Sequence, residues 1–325
     1  MYDVSAVTPA VTPERRPFPD FLSSTEKGYI LGFCLGNILK PLITVIASAL
    51  LCLGTSAARA QDCAPQQLAK VQTTTLPDGR LTVPVTVEGH ALNFLLDTGG
   101  VNTTIKWEVA REMNLPVLQT DRRLAGVGGS VLNFALTGEN FSVGEFKVAN
   151  KPIYVESRPM PDADGTLSPD ILRDYDVEID LVAGTLTLFA PGYCAVQEPR
   201  DTVLAIGVGS NGHVHLPVKI DGASVMAVLD TGSVMSAVGM RTAAYLGVRP
   251  NSPGLEVRRD RDGYQLYSYP FGAMEIGGMT VQNPTIAIAS DGFLPGEELV
   301  LGIDALRLMR VTVAYASRRL YIKPP

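Results

Sequence analysis

The chain carries two copies of one unit, and that constrains its fold more than any other feature. Residues Val83-Pro84-Val85-Thr86-Val87-Glu88-Gly89 match Leu216-Pro217-Val218-Lys219-Ile220-Asp221-Gly222 at an offset of 133, carried by Pro84 and Pro217. The same offset places Leu96-Asp97-Thr98-Gly99 on Leu229-Asp230-Thr231-Gly232, and Ala110 and Leu115 on Ala243 and Val248. Toward the end of each half the offset becomes 134, where residues 175–180 meet 309–314 and 185–188 meet 319–322. One residue of drift over a whole half is small. The sequence therefore reads as a tandem duplication, and the fold class follows from the unit.

The unit reads as β-structure. Period-2 alternation predicts a hairpin over 81–87 and 91–96 in the first half, and over 213–220 and 224–229 in the second. Each hairpin runs into an Asp-Thr-Gly turn. A short helix is expected next, at 106–113 and 240–246, then a Gly-bearing hairpin tip, further strands and a closing strand pair. A segment at 190–201, with two prolines and Gly192, joins the halves. The 31 glycines, 23 prolines and 7% aromatic content suit short strands between turns.

A single Asp after an apolar strand is ordinarily turn chemistry. Two at equivalent positions of a duplicated unit have another consequence. If the halves pack about a pseudo-two-fold axis, Asp97 and Asp230 face each other across it. Carboxylates that close share one proton, because both cannot ionise cheaply. The ionised one then serves as base toward a water, and the protonated one donates to a carbonyl oxygen. Neither a metal nor a covalent intermediate is needed.

At Leu95-Leu96-Asp97-Thr98-Gly99-Gly100 and Val228-Leu229-Asp230-Thr231-Gly232-Ser233 the chain resembles the aspartic peptidase superfamily, both pepsin-like and retropepsin-like. The resemblance runs from about Leu81 to the C-terminus, and a single chain with both halves is similar to bacterial exported aspartyl proteases. It implies an all-β, bilobal fold with two pseudo-two-fold-related lobes and short helices. It also implies an aspartic endopeptidase that needs no cofactor, acts on a peptide or protein substrate and works as a monomer. Asp97 and Asp230 are its expected catalytic pair, activating water. Thr98, Gly99, Thr231, Gly232 and Ser233 are the expected loop supports, with the threonines locking the two loops together. Gly126, Val127, Gly128 and Gly129, with Gly263 and Tyr264, are the expected substrate-covering flaps. The other reading is a catalytically inactive, peptide-binding relative, and a third is a β-repeat protein with purely structural turns.

Three departures from the family pattern bear on that choice. The apolar-apolar-Gly element behind each loop is matched by Val300-Leu301-Gly302, but its counterpart is Thr166-Leu167-Ser168, where a Cβ is expected to press on the Asp97 loop. Gly100 stands where Ser, Thr or Ala is usual. It denies Asp97 a hydroxyl, which predicts a raised pKa and an optimum nearer neutral than that of a digestive acid protease. The first flap lacks the tyrosine seen in pepsins, and Tyr264 in the second is its candidate substitute.

Residues 1–60 read differently. The stretch 41–53 has the length of a signal-peptide apolar core and ends in Ala58-Arg59-Ala60, an A-x-A cleavage pattern. The expected organisation is a leader at 1–60, a first lobe at 61–193, a linker at 194–201 and a second lobe at 202–325. The leader is either a cleaved signal or an uncleaved anchor, which would be the chain's one membrane contact. Export to the periplasm, or secretion, follows. The mature chain keeps Cys63 and Cys194, an even pair that suggests a disulfide in an oxidising compartment.

Other signals are weaker. With 27 Lys plus Arg against 33 Asp plus Glu, and no basic block, the chain lacks the surface for nucleic acid. Gly207-Val208-Gly209-Ser210-Asn211-Gly212 fits G-x-G-x-x-G, but an alternating, Pro-bearing segment follows it, so a hairpin turn is expected. His213 and His215 lack a third ligand for zinc and read as solvated strand residues. Asp162-Ala163-Asp164-Gly165 reads as a turn.

Overall fold

Each half begins with a two-residue turn that fixes its first strand pair. Glu88 and Gly89 have φ of 47° and 84°, and Asp221 and Gly222 have 48° and 83°. Positive φ at both central positions defines the I′ geometry, whose twist matches that of the flanking strands. Leu81–Val87 pairs with His90–Leu96, and Val214–Ile220 with Ala223–Leu229. Both hairpins end at the Asp-Thr-Gly turns.

The computed structural model describes residues 64–125, 131–148, 150–157, 162–195, 201–261, 264–289, 299–307 and 309–323. The expected leader at 1–60, Cys63, and flap residues Gly126, Val127, Gly128, Gly129 and Gly263 lie outside them. Among the described residues no helix is long and apolar enough to cross a membrane.

Among the described residues the strands form three sheets. The first has the order Leu118–Ala125, Val131–Leu136, Ile153–Glu156, Thr104–Lys106, Gly165–Leu167, His90–Leu96, Leu81–Val87, Phe141–Val143, Phe146–Lys147, with Thr74–Thr75 on Leu81–Val87. The second repeats that order with Glu256–Arg261, Tyr264–Pro270, Thr285–Ala289, Ala237–Gly239, Leu299–Leu301, Ala223–Leu229, Val214–Ile220, Ala273–Ile276 and Met279–Gln282. Gly207–Val208 pairs beside Val214–Ile220, so the G-x-G-x-x-G segment is a hairpin turn, closed by Gly209 N–H to His213 O at 2.9 Å. The mostly antiparallel, curled sheets and short helices are the all-β, bilobal architecture expected. Phe94, Leu96, Ile105, Phe141 and Leu167 in one half, with Leu216, Leu229, Val238, Ile288 and Leu301 in the other, belong to one buried apolar cluster.

The third sheet draws on both halves, with the order Gln67–Gln72, Thr185–Phe189, Asp176–Asp180, Arg310–Ala314, Arg319–Lys323, Thr202–Ala205. The halves join where Val177 faces Val313 and Asp180 faces Arg310. Asp180 is buried, accepts the N–H groups of Val182 and Ala183, and pairs with Arg310 Nε at 2.6 Å. Burial alone raises its pKa, but those bonds and the guanidinium together lower it.

Helices α1 (Trp107–Glu112) and α3 (Met240–Tyr245) lie within the expected segments 106–113 and 240–246. Two single-turn helices, α2 (Pro169–Leu172) and α4 (Ile303–Leu306), are too short to show a period in sequence.

The two turns also grip one another. Thr98 Oγ1 donates to Leu229 O at 2.8 Å and accepts Thr231 N–H at 3.0 Å. Thr231 Oγ1 donates to Leu96 O at 2.7 Å and accepts Thr98 N–H at 3.2 Å. Both threonines are buried. Replacing Thr98 with Val keeps its shape but strands a buried N–H and a carbonyl of the other half. Thr98→Val should lower stability by about 2–4 kcal/mol, read from denaturant midpoints, while Thr98→Ser should stay within about 1 kcal/mol of wild type.

Candidate active site

The Asp-Thr-Gly turns are held from behind by the short strands Gly165–Leu167 and Leu299–Leu301, which run parallel to the strands that deliver the carboxylates. Asp97 N–H donates to Leu167 O and Asp230 N–H to Leu301 O, each at 3.0 Å. The equal distances correct the expectation that Ser168 would press the Asp97 loop outward. Ser168 is fully buried with the contact beside it intact. At Gly302 the constraint is real, since a Cβ there would stand 2.6 Å from Met235 C and 2.9 Å from Ser236 N.

The turns bring Asp97 and Asp230 together. A Cβ on Gly99 would fall within the Asp230 carboxyl group, and one on Gly232 would lie 2.6 Å from Asp97 Cγ. Each carboxyl therefore packs against the glycine of the opposite turn, where no other residue fits. The carboxyls are in hydrogen-bonding reach of each other. Gly100 N–H donates to Asp97 Oδ1 at 2.8 Å; Gly232 and Ser233 N–H groups donate to Asp230 Oδ1 at 2.9 and 3.1 Å. The Ser233 hydroxyl donates instead to Met235 O at 2.8 Å.

Burial raises both pKa values, but the balance differs. Asp97 is pushed up by burial, against which the Gly100 and Gly99 N–H groups and the bond to Asp230 favour its ionised form. Asp230 is pushed up to about 7 by burial and then by the Asp97 charge. A buried carboxylate pair of this kind sheds its first proton more easily than its second, because the first charge opposes the next.

Behind each turn lies a matching relay. Ser168 N–H donates to Thr103 Oγ1 at 3.1 Å, and Thr103 Oγ1 to Asp170 Oδ1 at 2.7 Å. In the second half Gly302 N–H donates to Ser236 Oγ at 3.1 Å, and Ser236 Oγ to Asp304 Oδ1 at 2.7 Å. Sequence reasoning passed over these four side chains, although the offsets that align the turns also place hydroxyl on hydroxyl and acid on acid.

His213 was misread as a solvated strand residue. It precedes the strand Val214–Ile220, half-buried, and its Nε2 lies 3.1 Å from Gly100 O. Asn211 Oδ1 accepts His213 N–H, which turns its Nδ2 toward His213 Nδ1 at 2.9 Å. Nδ1 then accepts, and Nε2–H donates to the Gly100 carbonyl. The second half thus steadies the loop of Asp97.

Tyr264 opens the strand Tyr264–Pro270 and faces Arg261 across the sheet. The exposed apolar residues Val101, Val234 and Met235 follow the two turns in the chain. Cys194 lies in the half-buried segment after Tyr193. Among the described residues no group of three His, Cys, Asp or Glu could hold a metal ion.

A family model described as aspartyl protease matches residues 83–171, and one described as gag-polyprotein putative aspartyl protease matches residues 216–308. No curated protein sequence matches the chain. Among solved structures, the aspartic proteinase from Irpex lacteus is 14% identical and covers 79% of this chain and 97% of its own, with a TM-score of 0.51. That likeness concerns the fold. A retropepsin-like aspartic protease from Rickettsia conorii is 16% identical over 38% of this chain and 88% of its own, at a TM-score of 0.28, too low to bear on the arrangement. Each half matches an aspartyl protease family by itself, and the turns that carry the two matches meet at one pair of carboxylates: this chain belongs to the aspartic peptidase superfamily.

Proposed function

We propose that this chain is an aspartic endopeptidase in which Asp97 and Asp230 together activate a water for attack on a peptide carbonyl. The observation that carries this reading is the pairing of the two carboxyls across the halves, each against the opposite turn's glycine. Asp97, supported by backbone N–H groups, takes a proton from the water. Asp230, protonated up to about pH 7, donates to the carbonyl oxygen as the tetrahedral intermediate forms. Reversing those transfers protonates the departing amine. Carboxylates that are half-buried leave one side open to a water.

The substrate in this proposal is an extended peptide paired with the flap segments around Gly126, Val127, Gly128, Gly129, Gly263 and Tyr264. Val101, Val234 and Met235 offer apolar surface to side chains flanking the scissile bond. The same reading takes residues 61–193 and 202–325 as its lobes, joined through 194–201 in a monomer. It takes 1–60 as an export leader to the periplasm and Cys63–Cys194 as a disulfide.

Cleavage of a diverse peptide library between pH 3 and 9 tests the activity. Wild type should cleave along a bell-shaped profile that falls above about pH 7, where Asp230 loses its proton. Asp97→Asn and Asp230→Asn should each lower kcat/KM by about 10³-fold or more. A folded wild type that cleaves nothing at any pH, after any activation step, turns the reading to the peptide-binding alternative.

Stability gives a second test. The folded chain holds the Asp230 proton to about pH 7, whereas the unfolded chain releases it near 3.8, so raising the pH between those values costs stability. Asp230→Asn removes that slope. The variant should exceed wild type at pH 8 by on the order of 3 kcal/mol and lose that advantage at pH 4, measured by denaturant unfolding at both pH values.

A further inference from the structure

Ser168 stands directly behind the Asp97 turn, completely buried, and its hydroxyl has no hydrogen-bond partner. A buried hydroxyl left unpaired is unfavourable, so its position calls for an acceptor. A Cβ added to Gly100 would stand 2.6 Å from Ser168 Oγ and 2.9 Å from Asp97 Oδ2. The hydroxyl and the carboxylate oxygen thus border the same small space, which Gly100 leaves open. Conformation does not demand glycine at position 100, because its φ lies outside the left-handed region. The demand is spatial.

The second half is arranged the other way round. There the serine follows the turn, as Ser233, and the glycine stands behind, as Gly302, with no room for a Cβ against Met235 and Ser236. Ser233 directs its hydroxyl to Met235 O and away from Asp230. Serine and glycine have exchanged places between the two halves, and a hydroxyl beside the carboxylate's free oxygen is found behind Asp97.

We propose that Ser168 is a positioning residue whose hydroxyl donates to Oδ2 of ionised Asp97, supplying from behind the turn what Gly100 cannot supply from within it. Oδ1 is already held by Gly100 N–H, so this bond fixes the remaining oxygen and places the negative charge of the pair on Asp97. A small tilt of the carboxylate as it ionises closes the bond. The catalytic consequence rests on the peptidase reading above; the hydrogen bond itself does not.

Two other titratable groups face Asp97, namely Asp230 across the halves and His213 beside Gly100. Both remain in every variant needed for the test. In the full chain, the carboxyl carbon of Asp97 is titrated by ¹³C NMR and the acid limb of kcat/KM is measured alongside. Ser168→Ala should move both upward by about one pH unit and lower kcat with little change in KM. Gly100→Ser alone should lower the denaturant midpoint, because its Cβ enters the occupied space. The exchange Gly100→Ser with Ser168→Gly should recover the midpoint and return both titrations toward wild type.

An unshifted Asp97 titration in Ser168→Ala overturns the proposal. So does a Gly100→Ser variant as stable as wild type, or an exchange variant that folds but keeps the shifted titration. If Ser168→Ala does not fold, the exchange variant decides alone. The two readings fail separately. A wild type that cleaves no peptide removes the peptidase reading, while the NMR titration still supports or overturns the bond.

Discussion

The reciprocal bonds of Thr98 and Thr231 are the constraint on which the site depends. Each hydroxyl accepts the other threonine's N–H and donates to a carbonyl at the end of the opposite strand. Four hydrogen bonds in a buried setting fix the separation of the two turns, and with it that of the carboxyls one residue earlier. Without that grip, two acidic groups in reach of each other would be driven apart by repulsion and by the pull of water. With it, their mutual repulsion is converted into a shared proton.

The duplication supplies two chemically equal acids, yet the proposed mechanism needs a general base and a general acid that differ. The difference comes from second-layer residues that the two halves do not share. His213 and Ser168 both bear on the Asp97 turn, whereas Arg80, the residue equivalent to His213, is engaged locally with Asp78 at 2.6 Å. The Gly100 N–H, and the bond proposed for Ser168, then favour the ionised form of Asp97. Asp230 sits beside the resulting negative charge. Pseudo-symmetry of the backbone and asymmetry of its surroundings together divide the labour.

The fold was legible because its information is local and repeated. Period-2 alternation marked both hairpins, and the Glu-Gly and Asp-Gly turns needed no tertiary context to adopt I′ geometry. The offset of 133 residues predicted which side chains would be equivalent, and the two sheets indeed run through their strands in one order. Single-turn helices α2 and α4 were not legible, since four residues carry no period. His213 was missed because its environment belongs to the other half of the chain, more than a hundred residues away. Ser168 was read with the wrong sign for a similar reason. Its hydroxyl has room only because Gly100 lacks a Cβ, which would stand 2.6 Å from Ser168 Oγ, and no alignment of one half on the other reveals that the two departures compensate.

Burying such a pair also requires a source of stability elsewhere, and the acids of the third sheet show how it differs from the site. Asp180 is buried where the site carboxylates are half-buried, but two N–H groups and a guanidinium bind it. Asp176 likewise accepts the N–H groups of Gly192 and Tyr193 at 2.8 and 2.7 Å. Paired across the sheet with Arg310, Asp180 joins strands of both halves and favours the folded state while ionised. Asp97 and Asp230 face each other with fewer donors than oxygens can accept, so their ionisation opposes folding. A carboxylate that stabilises has its proton-binding capacity suppressed by partners, and a carboxylate with the catalytic role proposed for this pair must retain it. The chain places the first kind where the halves are sewn together and the second where they are held a hydrogen bond apart.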